Sequence, residues 1–185
     1  MSGGLSPLPG AETPAWHSYS SATPRWYAAY TCVHHEKRIL QQLTERDIDG
    51  FVPLYRSVRR WKDRRKELDL VLFPGYVFVR ISLQKRLRVL QVPGVVNFVN
   101  FNGLPTPLPE GEVEALRRAS AQGVFAEPHP YLKTGRRVRI RNGPFTGIEG
   151  VLLRKKDRYR FVLSIEMIMR SVAIEMDAAD VEALL

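Results

Sequence analysis

A chain of 185 residues with 44% apolar content and a formal net charge of +9 has room for one medium domain or two small ones, each with its own core. No window approaches the apolar length a bilayer span needs, and the first residues lack the basic start and apolar stretch of a secretory leader, so a cytoplasmic protein is expected. The single cysteine, Cys32, excludes an internal disulfide and a multi-cysteine zinc site, while the positive charge favours polyanionic partners.

Residues 1 to 24, rich in Gly, Ser, Pro and Ala without a sustained period, predict a disordered tail. RWYAAYTC then reads as a strand, with Trp26, Ala28 and Tyr30 on one face and Tyr27 and Ala29 on the other. From about Val33 to Asp47, good helix formers set Glu36, Ile39, Leu40 and Leu43 along one side, and DIDG supplies the stop. FVPLYRSVRRW is a second strand disturbed by Pro53, KDRRKE a charged hairpin tip, and LDLVLFPGYVFVRI the return strand. A short helix (SLQKRLRVLQ), a strand (GVVNFVNF) and, after Pro109, a helix with Val113, Leu116 and Ala119 inward complete the first half. The simplest arrangement is an α+β sandwich over residues 25 to 120, one mixed sheet with helices on one face.

AQGVFAEPHPYLK, with two prolines around His129, predicts a linker over residues 121 to 133. Beyond it the period becomes two. RRVRIR, EGVLLR, RFVLSI and SVAIEM turn Val138, Ile140, Val151, Leu153, Phe161, Leu163, Ile165, Val172, Ile174 and Met176 inward. Short strands with tight turns over residues 134 to 185 predict a small β-barrel. In NGPFTG and the strand after it, Gly143, Pro144, Gly147 and Gly150 have a conformational rather than a chemical role, since glycine permits positive φ and proline pre-sets a turn.

One stretch resists this patterning. In LFPGYVFV, residues 72 to 79, a turn dipeptide flanked by aromatics breaks a run that otherwise alternates like a buried strand. Strand statistics favour a bulged core strand with Phe73 and Tyr76 both inward. The other reading is a contact surface, where Gly75 permits close approach and the two rings offer apolar area at low entropic cost. Alternation puts Val77 and Val79 on one face and Tyr76, Phe78 and Arg80 on the other.

The basic residues fall in two groups. His34, His35, Lys37 and Arg38 sit near a helix start; no carboxylate or cysteine lies at ligand spacing, so no metal is expected, and a solvated helix face competes with a nucleic-acid contact. Arg59, Arg60, Lys62, Arg64 and Arg65 surround Trp61 in a basic hairpin with an aromatic to stack on a base or follow a backbone, the alternative being a solvated loop. Asp47, Asp49, Asp63 and Asp69 are scattered, and neither a Ser, His and Asp arrangement nor a phosphate-cradling loop is legible, so neither an enzyme nor a cofactor is expected.

Taken in order, WYAAYT, HHEKR, LFPGYVFVR, VPGVVNFV and GRRVRIRNGPFTGIEGVLL resemble the NusG family of transcription elongation factors over residues 25 to 185. PLYRSVRRWKDRRKELDLVLFPGYVFV and RKKDRYRFVLSIEMIMRSVAIEMDAADVE are similar to its specialised UpxY-type paralogues, related to RfaH. The resemblance implies an NGN domain over 25 to 120 and a KOW domain over 134 to 185, in a monomer that does not engage membranes. It implies that Phe73, Pro74, Gly75, Tyr76 and Phe78 meet the clamp helices of RNA polymerase's largest subunit, with Phe73 and Tyr76 exposed, and that pausing and termination are suppressed. It also implies that the face of His34, His35, Lys37 and Arg38 looks toward upstream DNA or the non-template strand.

The departures are informative. Housekeeping NusG carries an acidic turn and an Ile-Phe-Gly-Arg tip that contacts Rho or a small-subunit ribosomal protein. Here RKKDRYR and SIEMIMRS stand in those places, so Rho binding is not implied and ribosome binding stays open. Lys155, Lys156, Met167, Ile168 and Met169 are then the candidate partner surface of the KOW domain. RfaH's polar motif for the opposite polymerase subunit has no clear match, the segment from Gln84 to Arg88 being shorter and basic. The competing function is a KOW-type RNA-binding or ribosome-associated protein, with affinity residing in Lys155, Lys156, Arg158 and Arg160 and falling steeply with salt.

Overall fold

The structure, a computed structural model, describes residues 22–61, 64–124, 126–130, 135–155 and 158–184, with the backbone alone at 58–61, 64–66, 154–155, 158–159, 167 and 178. Of the tail expected over residues 1 to 24, all but the last three residues lie outside the description.

The first half is built on a four-stranded antiparallel sheet ordered β2-β5-β1-β6, from β1 (Arg25–Thr31), β2 (Asp49–Phe51), β5 (Tyr76–Ile81) and β6 (Val95–Phe98). Alternation sorts its faces as the sequence predicts. Tyr27, Ala29, Val77, Val79 and Ile81 share one core with Ile39 and Leu43 of α1 (Glu36–Thr44) and Val89 of α2 (Arg86–Leu90). Trp26, Ala28 and Phe78 belong to a second core with Val113, Leu116 and Ala119 of α3 (Glu110–Ala121). Helices therefore cover both faces, not one as expected. The second cover is held by polar contacts as well as apolar ones. The Trp26 indole N–H donates to Glu114 at 3.0 Å, and Arg117 stacks over the Trp26 ring while its guanidinium donates to both carboxylate oxygens of Asp49.

Pro53 splits the second predicted strand, so that β2 is followed by a separate hairpin of β3 (Leu54–Trp61) and β4 (Arg64–Val71). The expected single return strand is likewise two: β4 ends at Val71, a turn intervenes, and β5 starts at Tyr76. A small hairpin of β7 (Asn100–Phe101) and β8 (Leu104–Pro105) turns through Asn102 and Gly103, both at positive φ, as an Asn-Gly turn requires.

The second half is a six-stranded antiparallel sheet ordered β14-β10-β11-β12-β13-β9, wrapped on Val138, Ile140, Phe161, Leu163, Ile165, Val172 and Ile174. Its strands are β9 (Ala126–His129), β10 (Arg136–Ile140), β11 (Glu149–Lys155), β12 (Arg158–Ile165), β13 (Arg170–Met176) and β14 (Val181–Ala183). Strand β9 falls inside the segment predicted as linker and pairs with β13 from Ala126 opposite Ile174 to His129 opposite Ser171. Leu153, expected inward, is only partly covered and lies outside the core, whereas Leu152 packs against it. Gly143 and Gly147 do adopt positive φ in the turn between β10 and β11. Gly150 has a different reason for being glycine: a Cβ there would lie 2.5 Å from the Phe161 ring and from the Val162 carbonyl.

Candidate functional site: an aromatic turn at one end of the sheet

Phe73, Pro74, Gly75 and Tyr76 form a β-turn closed by the Tyr76 N–H donating to the Phe73 carbonyl at 3.2 Å. Proline at its second position and glycine at its third, with φ +85°, are the residues a type II turn requires. Two further bonds fix the turn to the sandwich. The Gly75 carbonyl accepts from the Thr31 N–H at 2.8 Å, and the Gly75 N–H donates to the Glu36 carboxylate at 2.7 Å. Glu36 is buried at the first turn of α1, on the apolar side where its spacing had set it. Replacing Glu36 with alanine leaves a buried N–H without an acceptor and is expected to cost about 1–3 kcal/mol of stability. Urea unfolding checks this, with Glu36→Gln, which keeps an acceptor, falling between that variant and the native chain.

The two aromatics of the turn part company. Phe73 is 1% exposed and meets the fully buried Phe78 edge to face, with ring centroids 5.8 Å apart. The expectation that Phe73 is exposed, and that Phe78 is a contact residue, is therefore corrected: the first turn position directs its side chain under the sheet, where Phe51 also stacks on Phe78. Tyr76 is half-buried and pairs edge to face with Tyr30, centroids 5.6 Å apart, and Tyr30 is 46% exposed. Val33, 48% exposed, and the Tyr30 ring both lie 3.6 Å from the position a Gly75 Cβ would take, and Pro74 is exposed beside them. The outward apolar surface is thus Tyr30, Val33, Pro74 and Tyr76. Sequence reasoning missed Tyr30 and Val33, because alternation groups Tyr30 with the buried Trp26 and Ala28 and does not say where the covering helix ends.

His34, His35, Lys37 and Arg38 are all exposed, His34 at positive φ, and the Lys37 ammonium donates to the Asp69 carbonyl of β4 at 2.8 Å. The basic hairpin has a telling register. Arg59 stands opposite Lys66, Arg60 opposite Arg65 and Trp61 opposite Arg64, and like charges directly across a ladder destabilise it unless an anion intervenes. Lys62 and Lys156 lie outside the described residues. For Arg59, Arg60, Trp61, Arg64, Arg65, Lys155 and Met167 only the backbone is described.

In the second half, Ile168 is a core residue, 3% exposed, which corrects its place on a partner surface. Met169, at positive φ, is 57% exposed immediately before β13. Arg160, a candidate RNA contact, is instead mostly covered and ion-paired with Glu127 and Glu175, each at 3.3 Å. The carbonyl of Pro144 accepts from Arg118 of α3, and Phe145 beside it is buried.

The first half thus carries an aromatic turn at one end of its sheet, and the second half rests on its third helix. A family model described as "Transcription termination factor nusG" matches residues 24–117. The chain belongs to the NusG family, whose members are transcription factors and not enzymes. It is 26% identical over 172 residues to the transcription termination/antitermination protein NusG of Pseudomonas aeruginosa, covering 85% of this chain and 97% of that one. Against the protein of the same name from Escherichia coli K12 it is 27% identical over 172 residues, covering 85% and 95%. Among solved structures, Thermotoga maritima NusG shares the fold with a TM-score of 0.54 and 21% identity, over 88% of this chain and 98% of that one. Among the described residues, no helix is long and apolar enough to cross a membrane.

Proposed function

We propose that this chain is a specialised transcription elongation and antitermination factor whose first half binds the clamp helices of RNA polymerase's largest subunit. Tyr30, Val33, Pro74 and Tyr76 make the contact, while Phe73, Phe78 and Gly75 hold it in shape from beneath. The observation that carries this is the exposed Tyr30 paired edge to face with the half-buried Tyr76, beside a turn tied down by Glu36 and Thr31. A pre-ordered pair of large rings gives apolar contact without an ordering cost, as interface anchors do.

The basic hairpin from Arg59 to Arg65, with His34, His35, Lys37 and Arg38, follows upstream or non-template DNA, supported by the opposed cations of its register and the net charge of +9. Bridging polymerase and DNA disfavours the open, paused conformation by population shift. The second half recruits a further partner around Met169, held at high effective concentration by its attachment. RNA binding by that half draws no support from Arg160, whose charge is met by two carboxylates.

The test is a pausing assay with purified core polymerase. The native chain is expected to shorten pause lifetimes and to coelute with the enzyme. Charge reversal at Arg60 and Arg65 should weaken the pausing effect, most at low salt, while leaving coelution in place. Absence of coelution by the native chain overturns the proposal.

A further inference from the structure

The two halves share one core: the cluster that holds Trp26, Phe78, Val113 and Leu116 runs on without a break into Phe145, Ile140 and Phe161. Along this seam Arg118 of α3 donates twice to the Pro144 carbonyl, at 3.2 and 3.0 Å, and a Cβ on Gly111 would touch Ile148 at 3.6 Å. Beside these contacts lies a cleft of about 500 Å³, with Glu112 of α3 on one wall and Glu166, Glu149, Arg137 and Ser164 of the second half on the other. Glu149 and Arg137 are engaged with each other at 3.0 Å, and Arg139 adds a bond to Glu149 at 2.6 Å that holds its carboxyl below the usual range. On α3 itself, Glu110 is paired with Arg80. Glu112 and Glu166 both line the cleft with no ion-pair partner for either among the described residues; Glu112 is partly buried in the seam, where a charge loses water, and Glu166 is exposed at its margin.

We propose that this seam is a proton-gated latch: Glu112 carries a proton while the two halves are packed, and ionisation of Glu112 opposite Glu166 releases the barrel-like domain from α3. The proposal concerns the chain alone and stands independently of polymerase binding.

Burial first, and the neighbouring Glu166 second, push the Glu112 carboxyl up from 4.5 to about 7 in the packed form. The direction follows from linkage. Below 4.5 both forms hold the proton and packing is at its strongest; between 4.5 and about 7 only the packed form holds it, so each rise in pH favours release. Above about 7 both forms have lost it and the equilibrium levels off. The packed population, relative to the released one, therefore falls by up to about tenfold per pH unit within that window.

Cys32, exposed and the only cysteine, takes one label, and Met169→Cys at the exposed position just before β13 takes the other. The distance between the labels is measured in the full chain from about pH 5 to about pH 8.5, spanning the expected window. The short-distance population is expected to fall toward neutral pH and then level. Glu112→Gln should hold the short distance throughout, and Glu166→Gln, which removes the charge that an ionised Glu112 would meet, should retain more of the short-distance population at neutral and higher pH. The Glu112→Gln chain retains every histidine of the native sequence and so isolates the effect of Glu112. A single distance at every pH in the native chain, an unchanged pH dependence in Glu112→Gln, or a seam already open in Glu112→Gln each overturns the latch.

Discussion

Replacing Phe73 with alanine is expected to lower the stability of the chain by about 3–5 kcal/mol, the range for truncating a fully buried aromatic. For a chain of this size that corresponds to a fall in Tm of roughly 10 °C or more. The cost arises because the ring fills the space against Phe78 beneath the sheet and nothing nearby can collapse into the cavity without disturbing the turn. Thermal unfolding checks the loss. Phe73→Leu, which keeps most of the volume, should recover more than half of it. Whatever Phe73→Ala protein remains folded should still bind polymerase, since the ring does not reach the surface. A Phe73→Ala chain that is as stable as the native one, yet fails to bind, would return this residue to the contact surface.

Tyr30→Ala combined with Tyr76→Ala is expected to do the opposite. Tyr30 is nearly half exposed and Tyr76 lies at the sheet margin, so loss of both rings should cost little more than about 1–2 kcal/mol in folding, much of it their edge-to-face pairing. Retention on core polymerase should fall by at least about 30-fold, the effect of losing about 2 kcal/mol at an aromatic anchor. Titration of labelled chain with polymerase measures it. Unchanged affinity in the double variant removes the aromatic turn from the proposed function and leaves the fold untouched.

The contrast between Phe73 and Tyr76 also marks where sequence reasoning reaches its limit. Two aromatics flanking Pro-Gly look equivalent in a linear string. They are separated by turn geometry, which sends the first residue beneath the sheet and starts the strand at the fourth, and by the extent of α3, a covering element some thirty residues further on. Strand statistics alone had favoured burial and were right for Phe73. Local periodicity served well wherever one element decides the outcome. Trp26 and Ala28 against Tyr27 and Ala29, Val77 and Val79 against Phe78, and the inward rows of β10, β12 and β13 all follow from alternation. It failed where a residue's surroundings come from far along the chain, as at Leu153, and the placing of Ile168 by resemblance failed for the same reason. It also failed at β9, where Pro128 reads as a breaker but is tolerated because the strand lies at the edge of its sheet. The seam at Glu112 was invisible for the same reason, since its partner Glu166 belongs to the other half.

The incorporation of Ala126–His129 into the second sheet changes how far that half can travel. With β9 committed to β13, only residues 122–125 separate the end of α3 from the first paired residue. Fully extended, four residues reach about 14 Å. On the proposed release the second half would therefore swing on a short leash, and a partner it captured would be kept within a few nanometres of the sandwich. A longer spacer inserted after Gly123 would widen that radius and dilute the captured partner around the complex.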